Sequence, residues 1–152
     1  FMEFKHEYEG EIGNNYFKND KYDHVVFYGY SGHDTIINGE QGSYSLLLGR
    51  AGNDSLINYA KATSISGYDG DDYIYNAGSK SSIDAGSNSD TITNFGDWAT
   101  IKNGVGYKSV KTITNTTTAA NTLISLAGGD NRINNAATGT TINGGRDTDN
   151  IT

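Results

Sequence analysis

Four aspartates, Asp34, Asp54, Asp72 and Asp90, recur at near-regular intervals, and Asp149 joins them later in the chain. Each of the four closes a short turn marked by glycine or its substitutes. The turns read Gly29-Tyr30-Ser31-Gly32-His33, Gly49-Arg50-Ala51-Gly52-Asn53, Gly67-Tyr68-Asp69-Gly70-Asp71 and Ala85-Gly86-Ser87-Asn88-Ser89. If these units stack, the carboxylates form a row along one edge. Like charges about 5 Å apart repel unless positive charge lies between them. A hard cation gathers about six to eight oxygens from carboxylates and carbonyls, and a glycine turn leaves its carbonyls uncovered. The expectation is a row of Ca²⁺ sites at Asp34, Asp54, Asp72, Asp90 and Asp149, strongest among the first four, with Asp69 and Asp71 as extra oxygens. The competing reading is turn chemistry alone, because Asp bonds its own local backbone in tight turns.

The elements that must carry these aspartates follow from an internal repeat. Two residues after each aspartate position stands an apolar anchor: Phe17, Ile36, Leu56, Ile74, Ile92, Ile113, Ile133 and Ile151. Two residues further on stands asparagine, at Asn19, Asn38, Asn58, Asn76, Asn94, Asn115 and Asn135. A second apolar series lies about halfway between the anchors, at Tyr8, Phe27, Leu47, Ile65, Ile83, Ile101, Ile124 and Ile142. A period of two puts Asp, Ile and Asn on one side of a strand and turns Thr35, Ser55, Tyr73, Thr91, Thr112 and Arg132 to the other. No 3.6-residue period is present. The pattern predicts an all-β fold: a parallel β-solenoid, roll-like, with two short strands per coil and about eight coils. The asparagines should stack as an amide ladder. Residues 1–9 read as a lead-in or cap and 10–152 as one repeat domain. Regularity fails between Gly104 and Ala120, where Lys111 stands in the aspartate column and 105–110 and 116–120 read as bulged loops.

On Gly29, Gly32, Asp34 and Ile36, and again on Gly67, Gly70, Asp72 and Ile74, the chain resembles the RTX, or hemolysin-type, calcium-binding repeats, whose unit is G-G-x-G-x-D-x-U-x with U apolar. The resemblance covers about Gly10 to Thr152. It implies a parallel β-roll, Ca²⁺ held by Asp and turn carbonyls, and secretion from a bacterium or display on its surface. The departures are specific. Only Gly144-Gly145 gives the full double glycine, and Thr63, Ser81, Ala99 and Thr140 replace aspartate on the opposite edge, so calcium would line one edge only.

Composition narrows the remaining choices. Apolar residues make up 35% of the 152, too few for a thick core, and Gly is frequent at 20 residues. Cysteine and proline are absent, so disulfides and thiolate sites are excluded and turns rest on Gly, Asn and Asp. A net charge of −7 argues against nucleic acid and anionic membrane as partners, and no apolar run is long enough for membrane insertion. The start at Phe1 and the end at Asn150-Ile151-Thr152, inside a motif, read as a slice of a longer polypeptide. No catalytic constellation is evident: His6, His24 and His33 lack metal-ligand spacing, and Lys102 with Asp84 reads as an exposed cross-strand ion pair. The chain is therefore read as no enzyme. It is expected to be a stalk or spacer of a secreted or surface protein, stiffened by Ca²⁺. The alternative is an adhesin module that binds a glycan or protein through an outward tyrosine-rich face, with Tyr73, Tyr75 and Ile57 as contacts. Open coils at both ends would also allow end-to-end self-association.

Overall fold

The computed structural model describes residues 4–103 and 109–152. In chain order the strands are β1 (His6–Glu9), β2 (Tyr16–Asn19), β3 (Val25–Ser31), β4 (Thr35–Asn38), β5 (Leu46–Ala51), β6 (Ser55–Asn58), β7 (Ser64–Asp69) and β8 (Tyr73–Asn76). They continue as β9 (Ser82–Asp84), β10 (Asp90–Asn94), β11 (Thr100–Lys102), β12 (Lys111–Asn115), β13 (Leu123–Ser125), β14 (Arg132–Asn135), β15 (Thr141–Asn143) and β16 (Asn150–Ile151). Odd-numbered strands form one eight-stranded sheet and even-numbered strands the other. Every pairing is parallel and joins each strand to its counterpart one coil on. The fold is a β-solenoid of about seven turns with roughly 19 residues per coil.

The register matches the anchor columns. Ile36 pairs with Leu56, Leu56 with Ile74, Ile74 with Ile92 and Ile92 with Ile113. In the facing sheet Phe27, Leu47, Ile65, Ile83, Ile101 and Ile124 form a second buried column. One apolar residue from each sheet meets in each coil, so the core is thin but continuous. Burying one such side chain contributes about 1.5–3 kcal/mol, and the rod adds these increments coil by coil. Residues 1–9, expected as a lead-in, include β1, so the odd-numbered sheet already begins at His6. In this first coil aromatics replace the aliphatic anchors. Tyr8 stacks on Phe27 with ring centroids 5.0 Å apart, and Phe17 lies 6.1 Å from Tyr8. Among the expected bulges, residues 116–120 are a turn in which the Ala119 N–H donates to the Thr116 carbonyl, whereas 104–108 lie outside the described residues.

The corner that follows each even strand is held by the asparagine column. Asn19 donates to Asn38, Asn38 to Asn58, Asn58 to Asn76, Asn76 to Asn94, Asn94 to Asn115 and Asn115 to Asn135, with Nδ2–Oδ1 distances of 2.8–3.1 Å. The second amide hydrogen serves the coil's own turn, as in Asn58 to the Ala60 carbonyl, Asn76 to Gly78 and Asn94 to Gly96. Most of the positions where the family resemblance would place a second aspartate row carry hydroxyls instead, Ala99 being an exception. Thr63, Ser81 and Thr122 donate back to the carbonyls of Ala60, Gly78 and Ala119 and close the same turns. This corner therefore satisfies its buried polar groups with neutral amides and hydroxyls.

Replacing Asn76 by Ala removes two donors and the acceptor of the Asn58 amide. The expected loss is about 3 kcal/mol or more, since several buried groups lose their partners together. Asn135→Ala, at a half-buried position near the last coil, should cost clearly less. Urea unfolding of both variants checks the difference.

Candidate functional site

The expected metal edge is the other corner, where a glycine-marked turn leads into β4, β6, β8 and β10. Its turns require left-handed backbone at two places. Gly70 has φ +134°, and an added Cβ would collide with the Gly52 carbonyl of the coil before. Asn88, which stands where other coils have this glycine, adopts φ 67°, as the tolerance of Asn for this region allows. Tyr30, Arg50 and Tyr68 are left-handed too, with φ of 73°, 81° and 74°, which is uncommon for bulky residues. Stacking holds them there: Tyr30 pairs with Arg50 and Arg50 with Tyr68, and the Arg50 guanidinium lies 5.3 Å from the Tyr30 ring centroid and 5.9 Å from that of Tyr68.

Asp34, Asp54, Asp72 and Asp90 form one column, and all four are buried, at 1–2% exposure. Their Oδ1 atoms have a uniform task. The backbone N–H of Asn15 donates to Asp34, that of Asp34 to Asp54, that of Asp54 to Asp72 and that of Asp72 to Asp90, at 2.7–2.8 Å. The ladder stops at Lys111, which has no carboxylate, and resumes with Lys111 N–H to Asn131 and Asn131 N–H to Asp149. Asp149 belongs to the same column but is only half-buried, in the last coil.

A second ladder runs one residue earlier, and sequence reasoning missed it. Here the later coil donates to the earlier one: His33 N–H to Asn14 Oδ1, Asp71 N–H to Asn53 Oδ1, Ser89 N–H to Asp71 Oδ1 and Thr148 N–H to Asp130 Oδ1. At His33 the ring takes the part, its Nδ1 accepting from the Asn53 N–H. The signal was a short polar acceptor immediately before most column positions, as in Asn14-Asn15, Asn53-Asp54, Asp71-Asp72 and Asp130-Asn131. Asp71 is thus engaged as an acceptor, and Asp69 Oδ1 accepts the Ser87 hydroxyl at 2.6 Å.

The outer oxygens of the column are less well served. Among the described residues, Oδ2 of Asp34, Asp54 and Asp72 has no hydrogen-bond partner. These oxygens lie against the glycine that opens their own turn, so that a Cβ at Gly29, Gly49 or Gly67 would overlap Asp34, Asp54 or Asp72. Asp90 differs. The Lys111 ammonium lies 2.6 Å from its Oδ2, both side chains being fully buried, and donates to the Asn88 carbonyl at 2.6 Å. Burial raises the carboxyl of Asp54 to about 6, that of Asp72 to about 7 and that of Asp90 to about 6. For Asp72 the neighbouring charges of Asp90 and Asp54 add to the effect, whereas Lys111 opposes it at Asp90.

For calcium the fit is partial. The column offers carboxylate oxygens without partners, but Oδ1 is already committed to a backbone N–H at each level. Among the described residues no three His, Asp or Glu side chains converge. Lys111 is an intramolecular cation held by a carboxylate and a turn carbonyl, which is the donor pair expected of a metal level.

The tyrosine-rich face also takes shape. Ile57 and Tyr75 are in register on adjacent strands, and Tyr73 is 42% exposed. Sequence reasoning missed two rings that reach Tyr75 from the corner turns: Tyr59 at 5.7 Å and Phe95 at 5.3 Å between centroids. Lys102 and Asp84 are in register and 3.7 Å apart on the surface. Comparison of the chain with protein-family models, curated proteins and solved structures finds no match.

Lys111→Met leaves the Asp90 carboxylate buried without its cation. The expected loss in urea unfolding is about 3–5 kcal/mol, because breaking one side of a buried pair strands the other charge. Adding Asp90→Asn to Lys111→Met should restore much of that loss.

Proposed function

We propose that the chain is a structural repeat segment, a stalk or spacer of a secreted or surface-exposed bacterial protein. The observation that carries this reading is the continuity of the coil-to-coil ladders. The asparagine column links Asn19 to Asn135 without a break, and the aspartate corner is tied by ladders running in both directions. Such a stack resists separation of its coils, and its length is set by their number. The bacterial surface setting rests on the likeness to RTX repeats alone. A spacer should tolerate a change in length. Duplicating residues 55–72, one full coil, should lengthen the rod by about 4.8 Å and keep a single cooperative unfolding transition. Small-angle scattering and thermal unfolding check this, and aggregation or loss of the transition would count against it.

Calcium along the Asp34–Asp90 edge belongs to the same proposal, supported by the unpartnered Oδ2 atoms of Asp34, Asp54 and Asp72. Binding to the folded chain raises its melting temperature by mass action. At pH 8, millimolar CaCl₂ should therefore raise the transition, and Asp54→Asn should weaken the rise. An unchanged transition removes calcium from the proposal and leaves the spacer standing.

The three-ring cluster of Tyr59, Tyr75 and Phe95 favours a second reading, a carbohydrate- or protein-binding module using Tyr73, Tyr75 and Ile57. Aromatic faces next to exposed polar positions suit sugar rings. A glycan array should then give a hit that Tyr73→Ala and Tyr75→Ala abolish without lowering the melting temperature by more than a few degrees.

A further inference from the structure

Three coils in succession place a bulky side chain where the backbone is left-handed. The position lies three residues after the inward anchor of an odd-numbered strand: Tyr30 after Phe27, Arg50 after Leu47 and Tyr68 after Ile65. In two other coils the same position is glycine, Gly86 after Ile83 and Gly145 after Ile142, with φ of 89° and 93°. Glycine takes up this conformation freely, whereas a residue with a Cβ is strained there. The stack thus requires a left-handed residue at this place but does not require tyrosine or arginine. Strain retained where glycine would serve the fold points to a task for the side chains themselves.

Those side chains form one cluster on the outer corner of the odd-numbered sheet. The Arg50 guanidinium carbon lies 5.3 Å from the centroid of the Tyr30 ring, 5.5 Å from that of Tyr28 and 5.9 Å from that of Tyr68. Tyr28 and Tyr30 stack with centroids 5.8 Å apart. Tyr30 and Tyr68 are still 39% and 46% exposed, so both rings offer surface to a ligand. Among the described residues Arg50 forms no ion pair, and its buried Nε has no hydrogen-bond partner. The carboxylates of the turn after β7 are engaged elsewhere, Asp69 with the Ser87 hydroxyl and Asp71 with the Ser89 N–H. Arginine is suited to meet a carboxylate through paired N–H groups. Here aromatic rings hold the guanidinium instead.

We propose that Tyr28, Tyr30, Arg50 and Tyr68 form a binding site for an acidic glycan, one in which an isolated hexuronate sits among neutral sugars. The carboxylate lies on the Arg50 guanidinium, and the neighbouring sugar rings pack their C–H faces on Tyr30 and Tyr68. These two tyrosines are two coils apart, roughly 10 Å along the axis at the spacing of paired strands, a span that linked sugar rings cover. An extended peptide suits the site less well. It would add to an open strand edge, and β5 is already paired on both sides, with β3 and β7. The net charge of −7 disfavours a dense polyanion and leaves a single carboxylate acceptable. The site belongs to the odd-numbered sheet, whereas Tyr73, Tyr75 and Ile57 lie on the even-numbered one. It depends on neither calcium nor the spacer reading.

The test is an NMR titration of the full chain in chelator, following the Arg50 Nε–Hε signal and the tyrosine rings. The probes are disaccharides joining one glucuronate or galacturonate to a neutral hexose, the methyl esters of both, and a glutamate-rich peptide. At least one acidic disaccharide should move the Arg50 and Tyr68 signals together, with a dissociation constant on the order of 1 mM. Its ester should bind about tenfold more weakly or worse, because the charge-assisted pair is lost. Arg50→Lys should weaken binding by about the same factor, because an ammonium lacks the planar fork. Tyr30→Gly and Tyr68→Gly should weaken it too while keeping the melting temperature within a few degrees of the parent, since glycine suits the backbone there. The proposal is overturned if neither acidic disaccharide shifts Arg50, if the ester or the peptide binds as tightly, or if both glycine variants fail to fold, which would make the cluster structural.

Discussion

Parallel in-register stacking is the constraint on which everything else here depends. Once strands repeat at about 4.8 Å along one axis, each residue lies beside its counterpart in the next coil. Any choice of side chain is then made many times over. An apolar column becomes a core, as with Ile36, Leu56, Ile74, Ile92 and Ile113. A polar column must satisfy itself along the axis, because its neighbours on both sides are copies of itself.

The two corners solve that problem with different chemistry. Asn is both donor and acceptor, so a stack of Asn closes on itself and has hydrogens left for its turn carbonyls. An ionised Asp only accepts. A column of Asp can collect the backbone N–H groups of adjacent coils, as Asp54, Asp72 and Asp90 do, but half of its oxygens then have nothing to meet. At Asp90 a positive charge meets the outer oxygen. Lys111 supplies the charge at one level and interrupts the row it serves. The irregularity at Lys111 and the regular row before it therefore answer one electrostatic requirement.

Much of the architecture could be read without coordinates because the side-chain period of a strand is two and the coil repeat is short. The anchors from Phe17 to Ile151, the asparagines from Asn19 to Asn135 and the outward Thr91 and Thr112 all follow from that arithmetic. The row Asp34–Asp90 was legible as a column for the same reason. Its hydrogen bonding was not. Whether an aspartate oxygen meets a metal, an N–H or nothing depends on χ angles and on the adjacent coil, which residue spacing does not specify. The outer ladder through Asn14, Asn53, Asp71 and Asp130 escaped notice because its members share only a short acceptor side chain, and His33 departs even from that.

By itself the sequence determined the parallel solenoid, its inward rows and the place where they break, because those depend on period and residue class. Only the tertiary structure decided which backbone positions are left-handed. His24, Tyr44, Ala62, Lys80, Trp98 and Asn121 all have φ between 52° and 60° in one column, although the residue types have nothing in common. Each is held there by an N–H bonded to the next coil's carbonyl, as Tyr44 is to Lys61 and Lys80 to Asp97. That conformation is imposed by the stack against local preference. The burial of Asp54 and Asp72 is likewise a property of the assembled edge: a turn aspartate meets water until the next coil covers it.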